Sequence, residues 1–187
     1  LVMTYPIIGN YGIPKKSAWE SNRIQLSGLI VANYHEKHSH HSAKQSLADW
    51  LKKEGVPAIE MKDTRALTKK LRSKGTMLGK IICNKKTIEF ANPNTDNLVA
   101  NVSTKKIYTI GKGARIIVII EKKKKKNIIR HLVERGLKVI VVPWNTDVTK
   151  LPFHYHAVVI SNGPGDPKKI TKTIKNVQKI IKNKIPT

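Results

Sequence analysis

The stretch "IIVIIEKKKKKNIIRHLVERGLKVIVVPW" (Ile116–Trp144) decides the fold. Ile116–Ile120 is an unbroken β-branched run and reads as a fully buried strand. Lys125–Gly136 reads as a helix closed by its glycine, and Leu137–Trp144 as a second strand. Further on, "YHAVVIS" (Tyr155–Ser161) reads as a third strand, and "KKITKTIKNVQKIIKNK" (Lys168–Lys184) as a long helix. The helix is expected to put Ile170, Ile174, Val177 and Ile181 on one face. Strand, helix, strand, connection, strand, helix is the grammar of an open parallel sheet, and the expected class is α/β.

Open parallel sheets place ligands at the carboxyl ends of their strands. "SNGPGDP" (Ser161–Pro167) stands at the carboxyl end of the third strand. Gly163 and Gly165 allow backbone conformations and close approaches that a Cβ blocks. Pro164 and Pro167 stiffen the turn, and Asp166 is placed to cap the long helix after it. A rigid loop with exposed amides can bind an oxyanion or a carboxylate. The same residues also suit a plain turn between strand and helix.

Upstream, the text is less regular. Gln25–Tyr34 reads as a strand, and "SAKQSLADWLKKEG" (Ser42–Gly55) places Leu47, Trp50 and Leu51 at helical spacing. "DTRALTKKLRSKG" (Asp63–Gly75) repeats that pattern, with Asp63 or Thr64 as cap and Gly75 as stop. "MLGKIIC" (Met77–Cys83) reads as a further strand, and Asn92–Asn97 as a loop. The change of texture near Tyr108 sets the expected boundary, with one domain over 1–107 and a second over 108–187.

Composition narrows the function. The 187 residues carry a net charge of +24, and 30 of the 36 basic residues are Lys. Such charge attracts polyanions, but a dedicated nucleic-acid reader leans on Arg forks and stacked aromatics, and aromatics are 5% here. No specific nucleic-acid partner is expected. No run approaches the roughly 18 apolar residues of a membrane span, so no membrane partner is expected either. The opening "LVMTYPIIGN" has no basic n-region, no cleavage-type site and no initiator Met, and reads as a start inside a gene. Cys83 is the single cysteine, which excludes an intramolecular disulfide, and its apolar setting reads as a buried hydrophobe in a reducing compartment.

Two other groups raise chemistry and fall short. His35, His38, His40 and His41 share no regular face and have no nearby Cys, so a solvated loop is preferred to a metal site. The tract Lys122–Lys126 stands where phosphates often bind, but lacks the glycines of a phosphate-binding loop. No metal site is expected.

Four ordered blocks carry a family resemblance. "LVMTYPIIGNYGIP", "SLADWLKKEGVPAIEMKDTRALTKKLRSKGTMLGKI", "KNIIRHLVERGLKVIVVPWNTD" and "ISNGPGDP" together cover nearly the whole chain. They resemble the small, glutaminase region of carbamoyl phosphate synthetase, with "IGNYG" and "VPWN" similar to the eukaryotic forms. The resemblance implies an amino-terminal mixed β/α docking domain followed by a flavodoxin-like class I glutamine amidotransferase domain. It implies that Gly163 and Gly165 hold glutamine, with the Gly163 amide in the oxyanion hole. The implied partner is the large synthetase subunit or region. That part uses ATP, Mg and bicarbonate to make carbamoyl phosphate for pyrimidine or arginine synthesis. No cofactor is implied for this chain. An intracellular location is expected, cytoplasmic ahead of mitochondrial.

The departures carry expectations of their own. The family's nucleophile sits on a Gly-x-Cys-x-Gly elbow shortly after the position of Ile185–Pro186, so no catalytic residue is expected up to Thr187. The chain as written is expected to be inactive as a glutaminase and to expose an apolar sheet edge. Where the family has Asp-x-Gly-x-Lys-x-Asn, this chain reads Glu121 to Asn127, with Lys123 at the turn glycine. If that position needs φ > 0, Lys123 costs about 1 kcal/mol. Two alternatives stand beside the glutaminase reading. One is a non-catalytic amidotransferase-like domain of an ammonia-dependent synthetase, and the other is a polyanion-binding basic module.

Overall fold

The computed structural model describes residues 1–82, 88–123 and 126–187. Cys83 falls outside them, as do Lys124 and Lys125 of the lysine tract. The chain divides into two compact units, Leu1–Ala91 and Asn92–Thr187. Residues 92–107, read from the sequence with the first domain, thus belong to the second compact unit.

The first unit is built from short pieces. Strand β1 (Ile13–Pro14) pairs antiparallel with β3 (Ala43–Gln45), and β2 (Leu29–Val31) pairs parallel with β4 (Ala58–Glu60). The long strand expected over 25–34 is a ladder only at β2. Its neighbours meet it through single bridges, Val2 with Ile30 and Ile8 with Tyr34. Helix α1 (Leu47–Lys53) starts after Ser46, whose hydroxyl accepts from Asp49 N at 3.0 Å and donates to Asp49 Oδ2 at 2.7 Å. Residues 43–45, drawn into the helical reading, are instead the strand that meets β1. Helix α2 (Thr64–Lys74) is capped by Asp63 through Ala66 N at 2.7 Å and ends at Gly75, φ 80°. Ile8, Leu29, Val31 and Leu51 form the core of this unit. Met77–Ile82 adds no strand; Ile81 lies over Gly28, while Met77, Leu78 and Ile82 are exposed.

The second unit follows the expected grammar. Helix α3 (Leu98–Val102) and strand β5 (Tyr108–Ile110) precede β6 (Ile116–Glu121), α4 (Lys126–Glu134), β7 (Lys138–Pro143), β8 (Ala157–Ile160) and α5 (Thr171–Lys182). The sheet order is β5-β7-β6-β8, with β5 antiparallel and the other three parallel. Because side chains alternate along a strand, β6 and β7 feed two cores. Val118, Ile120, Ile140 and Val142 join Val148, Val158 and Ile180 on one face. Ile119, Val139 and Val141 join Ile129 on the other. Beside β8, Val158 N donates to Pro186 O at 2.8 Å, so the segment after α5 returns to that edge.

Helix α5 corrects one expectation. Its inward residues are Thr173, Asn176 and Ile180, whereas Ile174 and Ile181 are exposed. The polar pair faces inward because it holds the loop after β7. Thr173 Oγ1 donates to Trp144 O and Asn176 Nδ2 to Thr146 O, both at 2.8 Å.

Candidate functional site

The site is assembled where the parallel strands end. Glu121 closes β6 and stands opposite Pro143, the last residue of β7. The β6–β7 ladder ends at that pair, and two buried serines bond the main-chain groups beyond it. Ser103, which caps the C-terminus of α3, donates from Oγ to Glu121 O at 2.5 Å and accepts from Trp144 N at 3.1 Å. Ser161, the residue after β8, accepts at Oγ from Lys122 N at 2.8 Å and lies 3.1 Å from Asn162 O as donor. Its own N–H donates to Ile120 O at 3.1 Å. Both serines are 4% exposed.

The glycine loop leaves this anchor. Gly163 packs so closely on the neighbouring turn that a Cβ there would lie 2.8 Å from Lys122 Cβ and 3.1 Å from Val99 Cγ2. Gly165 has a different reason to be glycine. Its φ is 78°, in the left-handed region, while the space beside it is ordinary contact with Leu98 at 3.4 Å or more. Both glycines are exposed. Asp166 does cap, but it caps the 3-10 turn Pro167–Lys169 through Lys168 N at 2.9 Å, and α5 has Ile170 at its N-cap position with no side-chain cap.

The carboxylate at the end of β6 is built into the structure. Glu121 is 2% exposed, and its Oε2 accepts from Thr104 N at 2.5 Å. Burial, and then the Glu121 charge, raises the pKa of the Tyr108 phenol. Burial lowers that of the Lys122 ammonium. Among the described residues Lys184 alone of the non-glycines has a positive φ, so Lys123 carries no left-handed strain. Farther from the loop, Lys179 and then Thr149 hold the Asp147 carboxyl below the usual carboxylate range. Asp147 accepts from Lys179 Nζ at 2.6 Å and from Thr149 Oγ1 at 2.6 Å.

The structure therefore brings Gly163 and Gly165 together with Val99, Leu98 and the first lysine of the tract. The arrangement can bind through exposed backbone; its two nearest hydroxyls are engaged with main-chain groups. Ser103 and Ser161 are what the sequence reading missed as positioning groups. Ser161 lies in the quoted motif, but nothing local marks Ser103, whose partner Trp144 N is 41 positions away. In the first unit the rings of His40 and His41 lie 4.1 Å apart, His40 lies 5.3 Å from the Tyr11 ring, and its Nδ1 meets Ser42 Oγ at 2.8 Å. Among the described residues no three His, Cys, Asp or Glu side chains converge as metal ligands, and no helix is long and apolar enough to cross a membrane.

Three parallel strands with an antiparallel edge strand, covered on both faces and followed by a glycine–proline loop at the carboxyl ends, suit a class-I glutamine amidotransferase. That family matches residues 118–187, and the CPSase domain of the carbamoyl-phosphate synthase small chain matches residues 1–81. The chain belongs to the carbamoyl-phosphate synthase small-chain family. It is 45% identical over 193 residues to the mitochondrial carbamoyl-phosphate synthase (ammonia) of Homo sapiens, covering 98% of this chain and 13% of that protein. It is 38% identical over 199 residues to the arginine-specific carbamoyl phosphate synthase small chain of Saccharomyces cerevisiae, covering 99% of this chain and 48% of that one. The multifunctional protein pyr-3 of Neurospora crassa is 37% identical over 231 residues, with 100% and 12% covered. The chain thus spans less than half the length of these relatives.

Proposed function

We propose that this chain is the amidotransferase region of a glutamine-dependent carbamoyl phosphate synthase, and that Ser161–Pro167 is its glutamine-binding loop. Gly163 and Gly165 are the contact positions. The observation that carries this reading is the exposed, rigidly anchored glycine loop at the carboxyl edge of the parallel sheet. Glutamine offers a carboxylate and, during hydrolysis, a developing oxyanion, and fixed backbone N–H groups suit both. In this reading the nucleophile and its His and Glu partners are supplied from outside residues 1–187. Ammonia passes to the synthetase part, the proposed partner, which uses ATP, Mg and bicarbonate. The proposed compartment is the cytoplasm.

A specific observation favours a second reading. The human, mouse, rat and frog relatives all bear the name carbamoyl-phosphate synthase (ammonia). Under that reading the region is kept as a scaffold and free ammonia is the nitrogen donor.

The experiment is carbamoyl phosphate synthesis by the natural full-length protein, with either glutamine or ammonium chloride as nitrogen source. Saturable synthesis from glutamine, with a KM between about 1 μM and 1 mM, supports the first reading. Synthesis from ammonium alone supports the second.

A further inference from the structure

We propose that Ser103 and Ser161 are a pair of positioning residues that clamp one peptide unit, Glu121–Lys122, and thereby set the glutamine-binding loop. The Ser103 hydroxyl donates to the carbonyl of that peptide and the Ser161 hydroxyl accepts from its N–H. In a trans peptide these two groups point in opposite directions, so the unit is held from both sides. The Ser103 hydroxyl also reaches a further element through Trp144 N, and the Ser161 hydroxyl turns its proton to the next carbonyl of its own loop, Asn162 O. The ends of β6, β7, β8 and α3 are therefore joined through two oxygen atoms.

The chemistry explains why hydroxyls stand here. A ladder hydrogen bond needs strands about 5 Å apart, and an open crevice at the carboxyl edge needs them to diverge. A serine side chain inserted between two strands continues the bonding across the wider gap, because it donates and accepts at one atom. Gly163 rests on the residue that ends the clamped peptide, since a Cβ there would lie 2.8 Å from Lys122 Cβ and 3.3 Å from Lys122 O. Movement of the peptide thus moves the loop. Loss of the Ser161 hydroxyl takes the acceptor from Lys122 N, and loss of the Ser103 hydroxyl takes the acceptor from Trp144 N and a donor from Glu121 O, which frees the loop to shift.

This inference rests on Ser161–Pro167 being the glutamine loop. The test uses the natural full-length protein and its Ser161→Ala, Ser103→Ala and double variants, with Ser161→Thr as the conservative control. Glutamine-dependent synthesis is normalised to the ammonium-dependent rate of the same preparation, which removes losses from misfolding. The KM for glutamine is expected to rise roughly tenfold in each alanine variant, with kcat changing less. The double variant is expected to fall well short of the product of the singles, because both act on one peptide. Ser161→Thr is expected to recover most of the loss. Unchanged KM values in a glutamine-using parent overturn the clamp and leave the glutamine site standing. A parent that neither uses nor binds glutamine overturns both. Equal losses in normalised kcat with KM unchanged also sink the clamp, since a positioning role acts on binding.

Discussion

The two compact units bury apolar residues by different means. In the second unit β6 and β7 are covered on both faces, and Val118, Ile120, Val139, Val141 and Val142 are all 0% exposed. In the first, ladders among the described residues are three residues long at most, and a cluster of Ile8, Leu29, Val31 and Leu51 supplies the core. The difference teaches where rigidity is concentrated. Backbone protection tracks continuous hydrogen-bonded ladders and packed contacts, so the candidate loop stands on the stiffer body.

Large-to-small substitutions give the sharpest way to break that contrast. Ile120→Ala is expected to destabilise the second unit by about 4 kcal/mol, because the residue has core neighbours and no room to relax. Leu51→Ala, 5% exposed in the thinner core, is expected to cost the first unit about 2–3 kcal/mol. Urea unfolding followed separately in each unit by hydrogen exchange reads both values. Equal costs, or faster exchange in β6 than in β2, would show the two bodies to be alike in stiffness.

The glycines sharpen the comparison within the second unit. Gly163→Ala presses a methyl against Lys122 Cβ and Val99, and is expected to cost about 2 kcal/mol and, under the proposed function, most glutamine binding. Gly165→Ala meets no clash, only an unfavourable φ, and is expected to cost about 1 kcal/mol. Asparagine tolerates the left-handed region, so Gly165→Asn should recover part of that loss while Gly163→Asn recovers none. Thermal unfolding of the four variants checks the ordering. A costlier change at Gly165 would mean that space, rather than backbone angle, governs that position.

The same contrast decides which features the sequence could disclose. The runs IIVII and KVIVV declare themselves because a strand covered on two faces needs apolar residues at every position. The stretch 25–34 misleads because three paired residues and two isolated bridges leave little periodic constraint on the rest. On α5 the apolar pattern points to Ile174 and Ile181, yet Thr173 and Asn176 face inward, since the loop after β7 presents carbonyls that need donors. The glycine loop is legible by its composition and its place after β8. The hydroxyls that hold it are not, because hydrogen bonds between residues about 40 positions apart leave no local trace.

The polar ties of α5 carry the smallest of these effects and the one most sensitive to pH. Asp147 accepts from Thr149 N at 3.2 Å and from Lys179 Nζ on α5, so a single carboxylate caps one turn and fastens the helix. The Lys179 hydrogen bond, followed by that of Thr149, lowers the pKa of the folded carboxyl. Its stabilising contribution is therefore full above the unfolded carboxyl pKa, about 4, and is lost as pH falls through the lower folded value. Asp147→Asn keeps a cap acceptor but removes the charge, and Lys179 is half-exposed. The expected cost at pH 7 is therefore about 0.5–1 kcal/mol. In the variant this part of the acid-side slope should vanish, whereas Ile120→Ala lowers the whole stability curve without changing its slope. Stability measured by urea from pH 6 to pH 3 separates the two. An unchanged acid slope in Asp147→Asn would mean that other carboxylates carry the acid sensitivity of this unit, and that α5 is fastened chiefly by Thr173, Asn176 and Ile180.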